Sequence, residues 1–135
     1  MRGEGKKRVL IVDNNEDILW TLQETIENAG FDTCTTWSGF EALALLESRE
    51  FDVLLVDDYL PDLHARDFLK RVGRLTVQPW IVVMQGPTPS ASELRHYVSL
   101  GASALVRKHD VAEVCKAISS CCNEQLLAKA NVLST

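Results

Sequence analysis

No apolar run in this sequence approaches the roughly 18 residues that a membrane-spanning helix needs. The first eight residues are basic and glycine-bearing but lead straight into a strand-like run. They lack the longer apolar region and the small-residue cleavage site of a signal peptide. Basic charge is also short, with 14 Lys and Arg against 19 Asp and Glu and a net charge of −5. A phosphate backbone wants a concentrated basic face, so direct nucleic-acid binding is not expected. Cys-x-x-Cys is absent, and of the four cysteines (Cys34, Cys115, Cys121 and Cys122) the adjacent pair makes poor joint ligands for a tetrahedral metal. The last three fall on or beside a helical stripe of Val111, Val114 and Ile118, and read as small buried hydrophobes in a reducing compartment. Low-complexity segments and long linkers are missing as well. With 46% hydrophobic and 24% charged residues in 135, the chain has the composition of one ordinary globular domain. The expectation is a single cytoplasmic domain over residues 1–130, with 131–135 a tail or the start of a linker.

What is there is a strict alternation of two segment types, five times over. Val9 to Val12 is β-rich and ends in Asp13, and Ile18, Leu19, Leu22, Ile26 and Ala29 then recur at helical spacing until Gly30 stops them. Phe31 to Thr36 alternates as a strand, and Ser38-Gly-Phe-Glu41 reads as a capping box, with Trp37 stapling the start of the helix it opens. Asp52 to Val56 is the third strand, ending in Asp57-Asp58, and a helix through Phe68, Leu69 and Val72 follows. Pro79 to Met84 is the fourth, with Trp80 assigned to the core and Gly86, Pro87 and Pro89 to the loop after it. Ser90-x-x-Glu93 caps a helix ending at Gly101, Ser103 to Arg107 is the fifth strand, and Asp110-x-x-Glu113 caps the last helix. Three of the strands are nearly continuous apolar runs, as when helices cover both faces of a parallel sheet. Five β-α units predict an α/β, doubly wound five-stranded parallel sheet, because closing a barrel takes eight.

Such a sheet works at the carboxyl ends of its strands. There stand Asp13-Asn14-Asn15-Glu16-Asp17, Asp57-Asp58, and Arg107-Lys108. Each acid taken singly reads as a turn or cap residue. Together they are carboxylates gathered at one edge with a lysine opposite, which suits a hard divalent cation and an anionic group. A carboxylate held beside such an ion can attack phosphorus to form an acyl phosphate.

Three stretches, Val9-Leu-Ile-Val-Asp13, Asp52-Val-Leu-Leu-Val-Asp57-Asp-Tyr-Leu-Pro61-Asp62 and Gly101-Ala-Ser-Ala-Leu-Val-Arg-Lys108, resemble in order and spacing the receiver domain of two-component response regulators. The resemblance covers residues 8 to about 122 and implies the flavodoxin-like strand order 2-1-3-4-5. It also implies that Asp57 accepts a phosphoryl group from a histidine kinase, a phosphotransfer protein or a small phosphodonor. Asp13, Asp57 and the backbone carbonyl of Tyr59 would hold Mg²⁺ (or Mn²⁺), with Asn14 a further candidate ligand. Lys108 would pair with the phosphoryl oxygens. The chain would then be a signalling phosphoacceptor and not an enzyme, assisting at most its own phosphotransfer and dephosphorylation. Its signal would pass to a downstream protein or output domain, with room for a homodimer.

The family's pattern is broken at several places. Asn14 stands where a second acid is usual, and Glu16 or Asp58 would have to compensate. Met84 replaces a hydroxyl residue and Leu105 an aromatic one, so the usual relay between them is absent and both read as core filler. His64-Ala65 replaces an acid–glycine pair, Gln85 a small residue, and His109 a proline. These departures favour the alternative of a degenerate receiver, a protein-binding module that works without phosphorylation. A flavin carrier could share the sheet, but its first loop must cradle phosphate and this one is acidic. An aspartate-dependent phosphatase would want an acid where Tyr59 stands. On a helical wheel Trp20 falls about 160° from Leu22, on the solvent side, where it is a candidate partner contact. His96 and Tyr97 lie near the face that receivers use for dimerisation or output, His96 reading as a surface residue.

Overall fold

Val, Leu and Ile at consecutive positions leave the central strands with no polar face, so both faces must be covered by helices. A computed structural model describes residues 5–86, 90–108 and 110–134, with side chains as far as residue 122. In chain order the elements are β1 (Arg8–Val12), α1 (Glu16–Asn28), β2 (Asp32–Thr36), α2 (Gly39–Ser48), β3 (Val53–Asp57), α3 (Ala65–Val72), β4 (Trp80–Gln85), α4 (Ala91–Ser99), β5 (Ala104–Arg107) and α5 (Val111–Ser134). The strands pair in parallel in the order β2-β1-β3-β4-β5. The fold class expected from the pattern is therefore the one observed.

Strand pleating sorts the apolar residues into two cores. Leu10, Val12, Leu54, Val56, Ile81 and Val83 face one side, where Ala42, Leu46, Phe68, Leu69 and Tyr97 bring in α2, α3 and α4. Val9, Ile11, Val53, Leu55, Val82 and Met84 face the other, against Leu22 and Ile26 of α1 and Val114 and Ile118 of α5. Gly30 and Gly101, at φ 101° and 103°, follow the ends of α1 and α4 in the left-handed region that other residues rarely adopt.

Several local expectations change. Trp37 is 59% exposed, so most of it lies outside the expected staple, and the turn of α2 is held by polar bonds from a neighbouring loop. Ser38 Oγ accepts from Glu41 N–H as expected, but the Ser38 N–H goes to Thr36 Oγ1, so the reciprocal half of that capping box is missing. The box at Ser90 and Glu93 is complete. Trp80 is only partly buried, packed against the α1–α5 core. Cys121 is buried there, Cys115 and Cys122 are partly buried beside it, and Cys34 packs against the opposite core. Burial pushes the Cys115 and Cys122 thiols up from their ordinary range. Helix α5 runs from Val111 to Ser134. Among the described residues no helix is long and apolar enough to cross a membrane. Pro87, Pro89 and the His109 substitution lie outside the described residues.

Candidate functional site

The register of the sheet assembles the acids. Val12 pairs with Val56, so the next residues, Asp13 just past β1 and Asp57 at the end of β3, stand side by side. Both are fully buried. Gln85 of β4 pairs with Arg107 of β5, and Lys108 is the first residue beyond. Its N–H donates to Gln85 C=O at 2.6 Å, which anchors the backbone at the strand edge. From there the side chain crosses the end of β4, and Nζ lies 2.6 Å from Asp57 Oδ2 and 3.9 Å from Asp13 Oδ1.

Backbone donors hold the two carboxylates from the loop side. Asn15 N–H donates to Asp13 Oδ1 at 2.9 Å and Tyr59 N–H to Asp57 Oδ1 at 3.3 Å. Asn15 is itself the cap of α1, accepting from Asp17 and Ile18 N–H. Asn14, Glu16 and Tyr59 are exposed, while Asp58 is half-buried with its N–H donating to Met84 C=O. Burial, a hydrogen bond to Asp57 and that residue's charge push the Asp58 carboxyl up to about 6, against the opposing charge of Lys108. For Lys108, burial lowers the ammonium, but the bond to Asp57 and the charges of Asp13, Asp57 and Asp58 outweigh it and leave it raised.

Two departures from the family's pattern, Met84 and Leu105, are packed as filler. Met84, paired with Asp57 across the strands, is 1% exposed and turned into the α1–α5 core. A cavity of about 230 Å³ lined by Ile18, Leu22, Met84, Val111 and Val114, among others, opens beside it. Leu105 packs partly buried against the opposite core. Gln85 donates through Nε2 to Glu93 in the first turn of α4, a contact the sequence did not signal. His64 caps α3, accepting from Arg66 N–H. Trp20 is 65% exposed on α1, as its wheel position predicts. His96 is exposed, but Tyr97 turns inward.

Among the described residues no group of three or more His, Cys, Asp or Glu is placed to hold a metal ion. The oxygen donors at the strand ends are two buried carboxylates, with the Asn14 amide and the Tyr59 carbonyl in the adjoining loops. That is a hard set of the kind Mg²⁺ takes while keeping several waters. It fits the ion with one charge fewer than two acids on the first loop would supply.

Comparison with known proteins converges on one family. The sequence model described as "Response regulator receiver domain" matches residues 9–119. Response regulator SaeR of Staphylococcus aureus (strain USA300) is 30% identical over 100 residues, which covers 74% of this chain and 43% of SaeR. The chain thus spans less than half the length of the curated relatives it matches. Among solved structures, a CheY-like receiver domain from Methanospirillum hungatei JF-1 superposes with TM-score 0.82 at 25% identity, covering 92% of this chain and 99% of that one. Chemotaxis response regulator CheY4 of Vibrio cholerae does so with TM-score 0.78 at 26% identity, covering 87% and 99%.

Proposed function

Since this chain belongs to the response regulator receiver domain family of two-component signalling, we propose that it takes a phosphoryl group on Asp57 and signals through protein–protein contacts. The observation that carries this reading is the buried Asp57–Asp13 pair with Lys108 reaching both across the end of β4. A purely structural sheet gains little from burying two carboxylates side by side, since desolvation and mutual repulsion both oppose it.

The chemistry is an in-line displacement governed by positioning and charge. An Asp57 carboxylate oxygen attacks phosphorus, and an acyl phosphate forms. The P–N bond of a phosphohistidine, or the P–O bond of a small donor, breaks with its electron pair leaving on the donor. Lys108 gives up part of its bond to Asp57 and pairs with the phosphoryl oxygens, keeping its charge. Tyr59 N–H holds the second carboxylate oxygen and so fixes which oxygen attacks. Asp13, Asp57, the Tyr59 carbonyl and the Asn14 amide would hold Mg²⁺ or Mn²⁺. Held there, the ion would supply positive charge to neutralise the transferring group. The donor is a histidine kinase or phosphotransfer protein, and the recipient of the signal is a downstream protein or output domain.

Intact mass after incubation with acetyl phosphate and Mg²⁺ tests this, with Asp57→Asn as control. A phosphate adduct absent from the variant is the expected result. No adduct, with kinase or with small donor, would leave the phosphorylation-independent binding module as the reading.

A further inference from the structure

The bonds around Ser38 do not stay within its own helix. Asp62, on the loop that follows Asp57, accepts Ser38 Oγ–H on Oδ2 at 2.7 Å and Phe40 N–H on the same oxygen at 3.2 Å. Its Oδ1 accepts Gly39 N–H at 3.0 Å. The two segments are in close apposition: a Cβ built on Gly39 would meet Leu63 Cβ at 3.1 Å and Leu60 Cδ1 at 3.3 Å. From the opposite direction Asp13 N–H donates to Thr36 C=O at 3.1 Å, and Thr36 Oγ1 accepts Ser38 N–H at 3.2 Å. The first turn of α2 is therefore tied to both acids, to Asp57 through residues 58–62 and to Asp13 through Thr36.

We propose that the first turn of α2 is the element that responds to the state of Asp57, and that Asp62 is the positioning residue coupling the two; this rests on the phosphoacceptor reading above. The relay usual in this family needs a hydroxyl and an aromatic ring, and here Met84 and Leu105 are packed as filler. Phosphorylation turns the Asp57 carboxylate into an acyl phosphate with a net gain of one negative charge, and Oδ1, which now accepts Tyr59 N–H, becomes a neutral carbonyl oxygen. The loop that carries Tyr59 must adjust, and its next polar anchor is Asp62. That anchor is a set of three bonds, two of them to backbone N–H groups at the positive end of a helix. Three bonds that share one carboxylate and one loop are made or lost together, which gives the turn two discrete arrangements. Trp37 and Phe40, 59% and 50% exposed, flank the turn, and Arg71 of α3 lies 5.4 Å over the Phe40 ring. The surface that changes is therefore aromatic, and Trp37 reports on it.

The test follows Trp37 emission and its quenching by acrylamide in the full chain, read as the difference between wild type and Trp37→Phe. Each sample is treated with acetyl phosphate and Mg²⁺, and adduct is measured by intact mass in the same tube. The expected result is a Trp37 shift on adduct formation in wild type and its loss in Asp62→Ala at comparable adduct yield. Asp62→Asn keeps an acceptor oxygen and retains part of the shift, which also serves if the alanine variant fails to fold. Adduct without any Trp37 response in wild type, or an undiminished response in Asp62→Ala and Asp62→Asn, overturns the coupling while leaving Asp57 as acceptor. Absence of adduct in wild type removes the phosphoacceptor reading and the coupling with it.

Discussion

Lys108 Nζ sits 2.6 Å from Asp57 Oδ2, a bond between residues 51 positions apart that joins the third and fifth strands across the fourth. The lysine offsets two carboxylates buried from water, so the pair is asymmetric under mutation. Lys108→Ala leaves both acids uncompensated and is expected to cost about 3 kcal/mol, at the lower end for a broken buried pair because the lysine is partly exposed. Asp57→Asn removes one of the competing charges and is expected to cost under about 1 kcal/mol. Urea unfolding of the two variants checks the contrast. The raised Lys108 ammonium contributes stability that is complete below its unfolded value near 10.4 and is lost as pH rises through its higher folded value.

Asp58 behaves in the opposite sense to a salt-bridged acid. Its carboxyl is pushed up to about 6 by burial and by Asp57, so the folded protein holds that proton more tightly than the unfolded chain does. In metal-free protein this stabilising proton is lost as pH rises from about 4 to about 6. Asp58→Asn is expected to flatten that slope and to gain roughly 1 kcal/mol at neutral pH, after discounting for a half-exposed group. Thermal melts of both proteins across this range measure it, and an unchanged slope would count against the cause given.

Asn14→Asp restores a charge to the first loop. It is expected to tighten Mg²⁺ binding about tenfold, equal to about 1.4 kcal/mol, whereas Asp13→Asn removes binding. Titration calorimetry with Mg²⁺ decides it. Equal affinity for wild type and Asn14→Asp would place the metal away from that loop.

Met84→Thr exchanges a buried thioether for a hydroxyl next to Asp57. Lost packing in the α1–α5 core is expected to cost about 2 kcal/mol, while the hydroxyl gives the phosphoryl group a donor and raises the adduct yield. Unfolding and intact mass read the two effects separately.

Ser38→Ala deletes a cap and is expected to cost about 1 kcal/mol in urea unfolding. Burial opposes it, but the Ser38 hydroxyl and the Gly39 and Phe40 N–H groups leave the Asp62 carboxyl below its ordinary value. Its contribution is therefore present above about pH 3.9 and lost as pH falls through the lower folded value. The stability difference between wild type and Asp62→Asn should vanish at the acid end of a pH series.

The sequence by itself determined the sheet. Nearly continuous apolar runs alternating with period-3.6 stripes require helices on both faces of a parallel sheet, and element edges moved by only about a residue. The strand ends also determined where Asp13, Asp57 and Lys108 meet, because parallel register carries residues after matched strands to one edge. The tertiary structure alone decided how the loops between those elements bond to one another. A capping box at Ser38 was legible as four adjacent residues, but its replacement by Asp62 joins residues 24 apart. Trp37 was placed by local pattern against α2 and is exposed, since the competing contact comes from another loop. The raised carboxyl of Asp58 follows from burial and from the hydrogen bond and charge of Asp57, against the lowering charge of Lys108. Local periodicity is written in neighbouring residues, whereas side-chain bonds between loops depend on distances that exist after the sheet has formed.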